Sequence, residues 1–188
     1  MAVNYGASAI GMLFYEKSPR YISPHKAADW ISEVADQVKK VGVFVNEKIE
    51  IIQSIVDELN LDYIQLHGYE TPEFCAEMIK PVIKVFCVDN HVDSSVLEGY
   101  NVYAFLLDTF EKGKPGGTGQ NFNWDSISDL KTDTPIILAG GLNVDNIALG
   151  IKKIQPAAVD VNSGVELSPG NKDKNKMIRL FEALKNTE

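Results

Sequence analysis

Long apolar runs are missing from this sequence. None exceeds about six residues, and a bilayer-spanning helix needs ~20. Cysteine is scarce: Cys75 and Cys87 are the only two, too few for a disulfide framework and in keeping with a reducing compartment. Positive charge is in deficit, with 18 Lys and Arg against 26 Asp and Glu, a net −8. That balance argues against a duplex-binding surface, because phosphate neutralisation needs clustered Lys and Arg. The opening Met1-Ala2-Val3-Asn4-Tyr5-Gly6 lacks the basic-then-apolar layout of a signal peptide. After the first apolar run, Phe14-Tyr15-Glu16-Lys17 is unlike the glycine fingerprint of a doubly wound nucleotide fold. These absences lead us to expect a cytoplasmic chain that binds neither nucleic acid nor membrane.

What remains is 188 residues, 45% hydrophobic and 23% charged, the makeup of one soluble domain spanning 1–188 with an ample core. Runs that read as buried strands are Ala9 to Tyr15, Val41 to Val45, Tyr63 to Leu66, Val82 to Val88, Tyr103 to Leu107, Ile136 to Ala139 and Ala157 to Val161. They lack the in/out alternation of half-exposed strands. Helical spacing links Ala27, Trp30, Ile31, Val34 and Val38, then Ile52, Ile55, Val56 and Leu59, then Ile178, Phe181 and Leu184. Ser23-Pro24 and Thr71-Pro72 each place a capping hydroxyl before a proline at the first helical position. Strand and helix in alternation mean parallel βαβ units, and polar residues gathered at strand C-termini favour a (β/α)₈ barrel. Only about seven units can be counted. Met1 to Tyr5 with Gly6-Ala7 reads as a last helical turn running into a strand, so a truncated barrel lacking its first strand is expected.

The polar strand ends are Gln65 and His67, Asp108, Gly140 and Gly141, and Asp160, Asn162, Ser163 and Gly164. Gly140-Gly141-Leu142-Asn143 and Asn162-Ser163-Gly164-Val165-Glu166 follow the last two strands, where such barrels often cradle a phosphate with backbone N–H groups. Each is otherwise a glycine turn into a helix. Asp108 at the mouth of an apolar barrel suits a general acid, or a simple loop cap. Arg20, in Ser18-Pro19-Arg20-Tyr21, suits a carboxylate partner, although most loop arginines have no such duty. His67 reads as a polar site wall or as a satisfied structural histidine. Gly113 to Gly119 reads as a mobile loop over a site or a surface connector. Cys75 and Cys87 are both expected in core roles, and no Cys/His spacing resembles a metal site.

Together these segments resemble the phosphoribosylanthranilate isomerase family. The match is carried by Ser18-Pro19-Arg20-Tyr21-Ile22-Ser23-Pro24, Val41-Gly42-Val43-Phe44-Val45-Asn46, Gln65-Leu66-His67-Gly68 and Leu106-Leu107-Asp108-Thr109. It continues through Gly116-Gly117-Thr118-Gly119, Leu138-Ala139-Gly140-Gly141-Leu142-Asn143, Val159-Asp160-Val161-Asn162-Ser163-Gly164-Val165-Glu166 and Pro169-Gly170-Asn171-Lys172-Asp173. The resemblance implies an Amadori rearrangement of N-(5-phosphoribosyl)anthranilate to 1-(2-carboxyphenylamino)-1-deoxyribulose 5-phosphate in tryptophan biosynthesis. It implies Asp108 as general acid, Arg20 on the anthranilate carboxylate, and Gln65, His67 and Asp160 as further substrate contacts. Gly140, Gly141, Asn143, Ser163 and Gly164 would hold the phosphate. It implies no cofactor, no metal, and a monomer or homodimer.

The departures carry expectations of their own. The family's base is a cysteine in a Lys-x-Cys-Gly motif on the first strand, and neither Cys75 nor Cys87 occupies a matching position. Asn162 and Asn123 stand where Ser and Asp are more usual. The chain as written is therefore expected to turn over slowly or not at all, and open barrel edges to favour self-association. Two other readings compete. Another phosphosugar barrel enzyme, indole-glycerol-phosphate synthase, would want a catalytic Lys and Glu on strands, and Lys84 is the only strand lysine; a pentose-phosphate epimerase would want metal-binding His and Asp. A non-catalytic barrel that binds a phosphorylated ligand is the other.

Overall fold

The structure, a computed structural model, describes residues 1–88, 94–108, 124, 127, 130–185 and 187. Two compact units divide it, one of residues 1–85 and 100–103, the other of residues 86–99 and 104–188. The expected glycine loop at Gly113 to Gly119, and Asn123, lie outside the described residues.

In the first unit, one helical turn, α1 (Ala2–Tyr5), ends at Gly6 in the left-handed region. The order is then β1 (Ala9–Leu13), α2 (Pro24–Ile31), β2 (Lys39–Phe44), α3 (Ile49–Leu59), β3 (Tyr63–Leu66), α4 (Pro72–Ala76) and β4 (Val82–Cys87), whose last two residues belong to the second unit. Each strand pairs in parallel with its neighbour in sequence, in registers such as Ala9 with Lys39, Val41 with Tyr63 and Ile64 with Val82. The proline-led helices start as expected. Ser23 accepts from the Lys26 N–H and Thr71 from the Phe74 N–H, both at 3.3 Å. Ile52, Ile55, Val56 and Leu59 of α3 are all buried, each such side chain contributing up to about 1.5–3 kcal/mol. They join Met12, Phe14, Phe44, Ile64 and Leu66 in one core. The helix expected through Val38 is shorter: α2 stops at Ile31, and tight turns donating Glu33 N–H to Trp30 and Val34 N–H to Ile31 lead the chain away.

In the second unit a 3₁₀ turn (Ser94–Leu97) precedes β5 (Ala104–Asp108), β6 (Ile136–Ala139), α5 (Ile147–Ile154) and β7 (Ala158–Val159). A second 3₁₀ turn (Ser163–Val165), an antiparallel hairpin of β8 (Glu166–Ser168) and β9 (Asn171–Lys172), and α6 (Lys174–Lys185) follow. Strands β5, β6 and β7 pair in parallel, in order. Val88, Leu107, Trp124, Ile127, Leu138 and Leu142 form this unit's core. Two expectations shift here. Met177 and Leu180 are the buried residues of α6, while Ile178, Phe181 and Leu184 are only half-buried. Cys87 is exposed rather than in the core, because the last residue of β4 has left the buried stretch Val82–Val85. Among the described residues, no helix is long and apolar enough to cross a membrane.

Candidate active site

The strand ends of the second unit carry a contiguous polar set. Asp108 closes β5 as the register partner of Ala139, the residue directly before Gly140. Its carbonyl accepts the Val88 N–H at 2.8 Å, which fixes the backbone beneath a half-buried carboxyl. Gly140 and Gly141 leave β6 with φ of 83° and 63°, a backbone path that side chains with a Cβ rarely follow. Turns of this kind aim backbone N–H groups into a concavity suited to an anion. Asn143 and Asn146 brace the turn, each donating its Nδ2 to the Gly141 carbonyl at 3.1 Å. Asn146 Oδ1 accepts the Asn143 N–H at 2.8 Å and Asn143 Oδ1 accepts the Asp145 N–H at 2.9 Å. Asn143 thus spends its main-chain N–H and its side-chain oxygen inside the turn.

The loop after β7 packs directly on the first. A Cβ at Gly164 would fall on the carbonyl oxygen of Leu142 and within 3.0 Å of the Asn143 Cα. Only glycine lets the two backbones meet. Ser163 is exposed, and so is Asp160, whose N–H donates to the Leu138 carbonyl at 2.9 Å. Behind them, buried Glu166 accepts from the Gly170 N–H and from Lys172 Nζ, both at 3.1 Å. Lys172 Nζ also donates to the Asn162 carbonyl at 3.0 Å and to Asn162 Oδ1.

The first unit holds Arg20, Gln65 and His67. Arg20 is half-buried between β1 and α2, and its N–H donates to Ser18 Oγ at 3.2 Å. Gln65 is buried on β3, and His67, half-buried just beyond it, donates its N–H to the Phe44 carbonyl at 2.9 Å. Under these loops lies a Lys84–Glu70 ion pair at 2.8 Å, each side chain 2% exposed. Lys84 also donates to the carbonyls of Leu66 at 3.2 Å and Gly68 at 2.7 Å. Glu70 accepts from the N–H groups of Asn46 at 2.8 Å and Gly68 at 2.9 Å. Burial pushes the Glu70 carboxyl up, but the hydrogen bonds and charge of Lys84 and the Asn46 N–H outweigh it and leave it below its ordinary value. Burial also lifts the Cys75 thiol to about 11, so it stays protonated at neutral pH.

The match to known proteins is extensive. The sequence profile described as "PRAI: N-(5'phosphoribosyl)anthranilate (PRA) isomerase" fits residues 1–183. The chain belongs to the phosphoribosylanthranilate isomerase family. It is 45% identical over 185 residues to the N-(5'-phosphoribosyl)anthranilate isomerase of Citrifermentans bemidjiense, covering 98% of this chain and 90% of that one. Phosphoribosyl anthranilate isomerase from Thermotoga maritima has a TM-score of 0.91 at 38% identity, covering 98% of this chain and 91% of that one. A phosphoribosyl anthranilate isomerase in complex with reduced 1-(o-carboxyphenylamino)-1-deoxyribulose 5-phosphate has a TM-score of 0.85 at 36% identity, with coverage of 98% and 91%. Members of this isomerase family are enzymes of tryptophan biosynthesis, and the parallel α/β fold expected from the strand pattern is theirs. The expectation of a slow or silent chain gains no support from these alignments, which run through nearly the whole length of the relatives.

The sequence pattern singled out the glycine turns and Asp108, and the structure sets these side by side in one unit. Glu70 was missed, Lys172 entered only within the Pro169-Gly170-Asn171-Lys172-Asp173 segment of the resemblance, and Lys84 was noticed only as an unusual strand lysine. Its signal was a single charge inside Val82-Ile83-Lys84-Val85-Phe86. A lysine bound to two carbonyls and a buried carboxylate serves the structure, which leaves the indole-glycerol-phosphate synthase reading without its catalytic lysine.

Proposed function

We propose that this chain catalyses the family's Amadori rearrangement, converting N-(5-phosphoribosyl)anthranilate to 1-(2-carboxyphenylamino)-1-deoxyribulose 5-phosphate in the cytoplasm, as a monomer or homodimer. Residues 1–188 act as a single barrel domain without cofactor or metal. Asp108 is the general acid. It protonates the furanose ring oxygen, the C1′–O bond breaks, and the anthranilate nitrogen lone pair forms the Schiff base. A base then removes the C2′ proton, and the resulting enolamine takes a proton at C1′ and releases the proton on O2′ to become the ketone. The substrate phosphate sits on the loops of Gly140, Gly141, Ser163 and Gly164, with Asn143 shaping the first of them. Arg20 pairs with the anthranilate carboxylate, while Gln65, His67 and Asp160 contact the rest of the substrate.

The observation that carries this reading is the adjacency of Asp108, the left-handed glycine pair and the Gly164 contact within one unit. Turnover of fluorescent N-(5-phosphoribosyl)anthranilate by the 188-residue chain tests it. Asp108→Asn should lower kcat by about 10²–10⁴-fold, and an unchanged kcat would remove Asp108 from the mechanism.

The places of the cysteines favour a second reading, a phosphate-ligand-binding member with little or no turnover. Cys75 is buried and protonated, and Cys87 ends β4 rather than the first strand, so neither is placed as the family's thiol base. Tight binding of the reduced product analogue without turnover would favour it; turnover at a rate usual for isomerases would sink it.

A further inference from the structure

Lys172 is a charged residue in the second unit that the reaction leaves unused. A lysine ammonium has three N–H donors and accepts nothing. Here three acceptors surround it: the Asn162 carbonyl, Asn162 Oδ1 and Glu166 Oε1. Asn162 directly precedes Ser163 and Gly164, so two of the three bonds grip the residue that leads into the second glycine turn. The third ends on a carboxylate that is 4% exposed and that also accepts the Gly170 N–H from the tip of the β8–β9 hairpin. From α6, Lys176 Nζ donates to the Glu166 carbonyl at 2.8 Å. The Asn162–Gly164 segment is thereby held from behind by the hairpin and in front by the Leu142 carbonyl, against which no Cβ would fit.

We propose that Lys172 is a positioning residue for the phosphate site: it acts through Asn162 to hold the Ser163-Gly164 turn against the Leu142-Asn143 turn, and is not itself a phosphate ligand. The inference rests on the phosphate reading of these two loops. A lysine that bound the anion directly would need a donor pointing at it, and each donor here is spent on the chain. The hairpin sets Lys172 beside its carboxylate: β9 is only Asn171–Lys172, and Lys172 is the register partner of Glu166.

Isothermal titration with two probes separates the possibilities: the reduced product analogue, and the same compound lacking its phosphate. Lys172→Met should weaken binding of the phosphorylated probe about tenfold, the range spanned by losing one well-made hydrogen bond. Binding of the dephosphorylated probe should not change. Asn162→Ala, at an exposed position that leaves the fold intact, should reproduce a several-fold part of that loss. The double variant should be no worse than Lys172→Met, since both act through one linkage. Losses that add, or an unchanged affinity in Asn162→Ala, would make Lys172 a direct ligand and overturn the inference. Equal losses on both probes would reduce it to general destabilisation, which also overturns it. A parent chain that binds both probes equally would instead sink the phosphate reading itself.

Discussion

Each unit sets a lysine–glutamate tie behind its strand-end loops, and the two ties differ chiefly in their access to water. Lys84 and Glu70 are each 2% exposed, whereas Lys172 is 33% exposed over a buried Glu166. In the first unit the pair gathers three carbonyl or amide groups of the Leu66–Gly68 stretch and the N–H of Asn46, so side-chain charge sets the loop geometry. In the second unit the loops are set by backbone meeting backbone at Gly164, and the lysine only steadies one end. The contrast shows two ways to hold a mouth rigid: a fully desolvated charge pair, which fails badly if halved, and a glycine contact, which fails only if something is added.

Halving the buried pair is the harshest way to break this comparison. Lys84→Met leaves the Glu70 carboxylate buried without its cation and should cost about 3–5 kcal/mol in urea unfolding. Glu70→Gln with Lys84→Met should recover part of that, because the unpaired buried charge is gone while the Gln amide can accept only one of the Asn46 and Gly68 N–H groups. A double variant as unstable as the single would show that packing, not charge, holds the loop. Gly164→Ala should act on the other unit by steric crowding, costing about 1–3 kcal/mol while weakening the phosphorylated analogue more than the dephosphorylated one. If affinity for the two compounds falls equally, the glycine contact does not shape the phosphate loops.

Acid gives the gentlest and sharpest comparison. The folded-state pKa of Glu70 lies below the ordinary 4.5, so its stabilising contribution is complete above the unfolded value and is lost as pH falls through the folded one. Stability of the parent should therefore drop faster below about pH 4.5 than that of the double variant. The difference in slope is at most one proton's worth, about 1.4 kcal/mol per pH unit. Parallel acid limbs would mean that Glu70 is no better held than a surface carboxylate.

The sequence made much of this legible, for physical reasons. Proline after a capping hydroxyl announced α2 and α4. The apolar runs announced β3 and β6 to the residue, and the doubled glycine announced a turn along a path that residues with a Cβ rarely follow. What stayed hidden depended on partners distant in the chain. Glu70 and Lys84 are fourteen residues apart, and nothing in Gly68-Tyr69-Glu70 distinguishes a carboxylate that turns inward from one in water. The hairpin of β8 and β9 is too short for any alternation to register, so the partnership of Lys172 with Glu166 left no mark in the sequence pattern. Val34 and Val38 keep helical spacing, yet α2 ends before them and Val38 is buried from a turn instead.

The inward carboxylate of Glu70 also reaches into the timing of solvent exchange. Loop amides ordinarily trade their protons with water quickly, but those of Asn46 and Gly68 donate to a group that water does not reach. They should keep deuterium out as long as strand amides do. Two positions in irregular backbone thus become clocks for the opening of the first unit.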